Sequence, residues 1–246
     1  EGELLADDPF ALSAAVSRAV EGLYSGHRKR LIDPGFNPYP RVRLACVLAS
    51  RRVDGGDRAT ANLALGDPDL VVRRAAVQWV AEERIKELRP RVAAVLDDPR
   101  LSADLFRTTL AALDMLDGGD PKRIDQTPPS QYVLPLLKDK QRPAGVRALA
   151  LQLVDPSDNA LGEPLFRELL SPGLPRLASE AVRTLGLSSR SFAADLLAGV
   201  ASDTKRKTGL RADAVAGLGR SLAAARPGTA PLLAGLVAGE DHVLAA

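Results

Sequence analysis

A unit of two helices and two turns recurs along this chain, and the recurrence limits the fold more than any other feature. Its clearest copy is Asp67-Pro68-Asp69-Leu70-Val71-Val72-Arg73-Arg74-Ala75-Ala76-Val77-Gln78-Trp79-Val80. The stretch reads as a turn, a helix start and an amphipathic helix with small residues in its middle. Asp67 suits the N-cap region, and Pro68 suits a first turn, where its missing N–H costs nothing. Aligning the small-residue helices sets Val42, Val72, Phe106, Val146, Leu177, Leu210 and Val243 at one position, in steps of 30, 34, 40, 31, 33 and 33 residues. Each step holds a helical hairpin. One hairpin cannot bury its own apolar face, so successive copies must stack into a solenoid.

Composition agrees with stacked helices. Hydrophobic residues make up 46% of the chain and aromatics only 4%. The apolar side chains are mostly Ala, Leu and Val, which suits closely packed helices better than strands. Helical spacing and Pro or Gly punctuation predict helices over about 10–23, 40–50, 57–65, 68–83, 85–96, 102–116, 129–138, 143–153, 161–170, 174–186, 190–202, 206–222 and 228–238. Residues 27–40, with four prolines or glycines at Pro34, Gly35, Pro38 and Pro40, form a loop that helix cannot cross. Residues 118–128 are the longest polar interruption after it.

The Asp-Pro-x-x-Val-Arg-x-x-Ala-Ala pattern resembles HEAT repeats, and is closest to the short bacterial kind. Neither the Trp…Leu-Gly…Tyr…Pro pattern of TPR repeats nor the Thr-Pro-Leu-His of ankyrin repeats occurs. The expected fold is therefore all-α: an α-solenoid of about six to seven HEAT-like hairpins in a right-handed superhelix. The whole of 1–246 is expected to be one array, with an N-terminal helix and basic loop over 1–39 and repeats over 40–246. The last repeat looks truncated, and both ends suggest a piece of a longer protein.

Candidate functional residues fall into two groups. Arg43, Arg73, Arg107, Arg147 and Arg211 recur in the second helices. A recurrent residue in a recurrent unit most simply serves stacking, so these are expected to pair with loop carboxylates such as Asp67, Asp98 and Asp203. The alternative is a row of cations that grips phosphates. The second group is a candidate interaction surface, Arg28, Lys29, Arg30, Arg51, Arg52 and Arg74; for the basic N-terminal region, a solvated loop or a contact to a preceding part of the protein is the favoured reading over binding of an acidic partner or nucleic acid. Residues 27–60 carry eight basic against three acidic side chains, with Phe36 and Tyr39 the aromatics among them. The chain as a whole has a net charge of only +2, which gives no global pull toward nucleic acid or anionic lipid.

Reactive constellations are absent from the sequence. His27 and His242 are the two histidines and lie near opposite ends. Cys46 stands alone, so neither a cysteine zinc site nor a C-x-x-C-H haem attachment is contained here. No metalloprotease, P-loop, nucleophile-elbow or EF-hand motif occurs. Gly217-Leu218-Gly219 falls inside a repeat, where close helix packing explains it better than a dinucleotide fingerprint. Trp79 is expected to be a packing anchor between repeats, and Cys46 a small buried hydrophobe. No apolar run approaches the roughly 18–20 residues of a membrane span.

A longer order of segments also looks familiar. Val72-Arg73-Arg74-Ala75-Ala76-Val77-Gln78-Trp79-Val80-Ala81-Glu82-Glu83 is followed by Asp104-Leu105-Phe106, Gln131-Tyr132-Val133-Leu134 and Arg142 to Leu151. Over roughly 40–220 this resembles the HEAT-repeat region of large secreted proteins of planctomycetes and related bacteria. There the repeats lie between a dehydrogenase-like β-propeller and a cytochrome c module. The resemblance implies a non-catalytic scaffold that links a dehydrogenase domain to a haem domain. It also implies a periplasmic or exported location, with protein or neighbouring domains of the same chain as partners. No cofactor is expected in this segment; haem c would belong to a C-terminal part outside it. A HEAT-like DNA glycosylase and a bilin lyase-like protein are the alternatives. Balanced charge and scarce aromatics disfavour the first, and nothing marks a tetrapyrrole pocket for the second.

Overall fold

The computed structural model describes residues 13–14, 16–17, 31–52, 58–119 and 130–222. Every regular element among them is helical. The chain divides into two compact units, Glu1–Pro128 and Pro129–Ala246, with the boundary at the end of the polar interruption seen in the sequence.

In the first unit, α1 is Pro40–Arg52, α2 Arg58–Ala64, α3 Leu70–Glu82, α4 Arg89–Ala94 and α5 Ala103–Leu116. Short 3-10 turns at Lys86–Leu88 and Val95–Asp97 flank α4. Helix α2 packs on α3 and α4 on α5, so each pair is a hairpin, while α1, α3 and α5 pack side by side in succession. The second unit repeats the plan. Its helices are α6 (Ser130–Lys138), α7 (Ala144–Leu151), α8 (Glu163–Leu169), α9 (Pro175–Leu185), α10 (Ala193–Ser202) and α11 (Thr208–Leu222). The hairpins are α6–α7, α8–α9 and α10–α11, and α7, α9 and α11 follow one another as the second helices. Five complete hairpins and α1 thus lie among the described residues, a HEAT-like solenoid arrangement within each unit. Of the helix expected over 10–23, residues 13–14 and 16–17 are described and are helical. The one expected over 228–238 lies outside the described residues.

Local chemistry sets the ends of these helices. Asp69, not Asp67, caps α3: its carboxylate accepts from the N–H groups of Val71 (2.9 Å) and Val72 (3.1 Å). Pro68 accordingly precedes the helix instead of opening it. Ser102 caps α5 by accepting from Leu105 N–H. At the far end of α3 the N–H of Ile85 reaches the Val80 carbonyl (2.9 Å) and that of Arg84 the Ala81 carbonyl (3.0 Å). This closure needs a left-handed residue, and Arg84 supplies it with φ of 50°. Helix α5 ends in the same way, with Gly118 at φ 99°.

The core follows the sequence pattern. Val72, Ala76 and Val80 are fully buried along the seam of α3, and Trp79 beside them is fully enclosed. Among the described residues, Phe106 and Phe166 are the other large buried aromatics. Gly217 explains itself by contact: a Cβ there would lie 3.2 Å from Leu197 Cδ1 and 3.3 Å from Gly186 Cα, so α9 and α11 meet through two glycines. Cys46 is buried in α1, and burial pushes its thiol up to about 11, which suppresses thiolate chemistry.

Candidate functional site: a buried arginine ladder and the cations around it

One position is geometrically equivalent in all the described second helices. Four residues after the capping residue, its N–H donates to that residue's carbonyl: Arg43 to Tyr39, Arg73 to Asp69, Phe106 to Ser102, Arg147 to Pro143, Ala178 to Leu174 and Arg211 to Lys207. Arginine fills four of these six places, and all four arginines are buried. A guanidinium here leaves the helix at its first turn, beside the turn that joins the hairpin's two helices. It can therefore reach that turn's carbonyls and the next hairpin's carboxylate together.

From α1 to the turn before α5 the ladder is continuous. Arg43 grips the Asp67 carboxylate with two hydrogen bonds of 2.8 Å and donates from Nη1 to the Asn37 carbonyl (2.8 Å). Asp67 is 2% exposed. It also accepts from Asp69 N–H, which fixes the turn, and its backbone carbonyl accepts from Arg73 Nε (3.0 Å) and Nη2 (2.7 Å). Arg73 then reaches Asp98 at 2.6 Å. One carboxylate residue therefore ties α1 to the next turn through its side chain and anchors α3 through its main chain. Such two-pronged arginine–carboxylate contacts are directional as well as charge-assisted.

Asp98 has a second partner. Arg100 donates to it from both side chain and backbone. The Arg100 side-chain bond is the largest influence on Asp98. Together with the Arg100 N–H and Arg73 it outweighs burial, and the carboxyl is held well below its usual range. In the second unit Arg147 donates to the Leu137 carbonyl (2.8 Å) and to Glu168 (2.7 Å), and Lys140 also pairs with Glu168. Burial works to raise the Glu168 pKa, but the bonds from Arg147 and Lys140 win and lower it. Arg211 donates to the Ala201 carbonyl at 2.9 Å.

Two positions of the ladder are not arginine, and both correct the sequence reading. Arg107 lies one residue beyond the equivalent position, which Phe106 occupies in the core. Arg107 itself is 60% exposed at its side chain and comes no nearer than 3.9 Å to Asp104. In α9 the position is Ala178, which cannot reach across to the next turn. There Asp203 pairs within its own turn with Arg206 (3.2 Å) instead of joining a ladder arginine. Arg206 also donates to the Leu170 carbonyl (2.8 Å), reaching back to the end of α8. Arg206 thus bonds a carbonyl near the place an α9 arginine would serve. Sequence reasoning missed Arg206, Glu168 and Asn37. The Asp203-x-x-Arg206 spacing was a usable signal for the first, whereas a backbone carbonyl partner leaves no mark in the sequence.

The candidate surface cations are placed less uniformly. Arg51, at the end of α1, pairs with Glu82 and lies 3.8 Å from Glu83 at the end of α3. Arg52 is exposed. Arg74 is 42% exposed at its side chain, with Asp104 at 4.0 Å. Arg28, Lys29 and Arg30 lie outside the described residues, as do both histidines. Next to them in sequence, the loop before α1 is held by hydrogen bonds from Asn37 Nδ2 to the Leu31 carbonyl and from Tyr39 N–H to Asn37 Oδ1. Within the stretch expected to be loop, residues 31–32 are helical, and Leu31 there and Phe36 and Tyr39 beyond it are exposed to solvent. Among the described residues, no group of three or more His, Cys, Asp or Glu is arranged to hold a metal ion, and no helix is long and apolar enough to cross a membrane.

The described residues thus define a class: an all-helical, HEAT-like solenoid in which buried arginines join several successive hairpins. Neither a family model nor a curated protein matches the chain. Among solved structures it is similar to human deoxyhypusine hydroxylase in complex with glycerol, at 18% identity over 93% of this chain and 94% of that one, with a TM-score of 0.39. So distant a likeness carries no argument about this chain's chemistry. It does correct the expectation of a non-enzymatic segment. The similar structure is by name a hydroxylase.

Proposed function

We propose that this chain is a repeat scaffold for protein–protein or interdomain contact. The observation that carries the reading is the buried ladder. Its guanidinium groups hold one hairpin to the next through bonds within the protein, which fixes the spacing of the helices and leaves their outer faces for neighbours. The contact surface includes Arg52 and Arg74, with Arg28, Lys29, Arg30 and Arg51 as the further basic residues of that region. In its narrower form, drawn from the resemblance over 40–220, the scaffold joins a dehydrogenase-like propeller to a haem c module in an exported protein.

Binding of the array to its neighbouring domain, supplied as a separate chain, tests the general reading. Charge reversal at Arg52 and Arg74 weakens that binding and reduces its salt dependence, with helical content unchanged. Equal binding by the variant contradicts the assigned surface, and no binding by the unaltered array contradicts the scaffold. The narrower form is tested by reading the parent sequence for an upstream propeller and a downstream C-x-x-C-H.

A further inference from the structure

We draw no further inference here: the strongest candidate, the apolar patch of Leu31, Phe36 and Tyr39 ahead of α1, carries none because nothing in the structure shows what covers it.

Discussion

Asp98 shows how an ordinary surface turn becomes a structural charge. Its carboxylate is 12% exposed and is shared between Arg73 of α3 and Arg100 of its own turn. The folded pKa is depressed, so the stabilisation is complete above the unfolded value of about 3.9 and is lost as pH falls toward the folded value. Urea denaturation across a pH series is expected to show stability falling with acid below about pH 4, a fall that Asp98→Asn makes shallower. An unchanged slope in the variant would show that this carboxylate does not link folding to protons. Glu168 contributes in the same direction through Arg147 and Lys140, so the slope is reduced by the substitution, not abolished.

At the scale of the element, neighbouring glycines of one helix have opposite expected effects. In α11, Gly217 faces Gly186 and Leu197, whereas a Cβ on Gly219 would meet nothing within 4 Å. Gly217→Val should therefore lower stability by about 1–3 kcal/mol through overpacking. Gly219→Ala should raise it by roughly 0.5–1 kcal/mol through helix propensity. Thermal denaturation of both variants reads the two signs, and equal effects would contradict the packing described. Arg84 gives a second case. It holds a left-handed conformation that glycine adopts without strain, so Arg84→Gly should stabilise α3 by about 1 kcal/mol. A loss of stability in that variant would mean that the Arg84 side chain matters more than its backbone.

Helix positions were legible because proline, glycine and capping residues punctuate the apolar periodicity at nearly every boundary. The ladder register was not legible in α5. Arg107 lies next to the true position, and a slip of one residue places an arginine there on paper. Only the backbone bond from Phe106 N–H to Ser102 shows that the slot is apolar. The capping role was placed two residues too early, on Asp67, since either side of Pro68 offers a capping carboxylate and Asp69 is the one that caps. The pairing of Asp67 with a ladder arginine was legible in the recurrence; that its main-chain carbonyl would also hold Arg73 was not.

For the whole molecule, each unit carries its own core and its own buried arginines. Chains covering 1–128 and 129–246 are therefore expected to fold separately, each with helical circular dichroism and a cooperative melt. A unit that stays unstructured alone would show that its core is incomplete. The central claim is that hairpins are joined by buried arginines at one helix position. Urea denaturation of Arg43→Ala beside Arg107→Ala tests it most directly. Arg43→Ala strands the buried Asp67 carboxylate and should cost about 3–5 kcal/mol. Arg107→Ala removes an exposed side chain and should change stability by no more than about 0.5 kcal/mol. Two small losses of equal size would contradict the ladder.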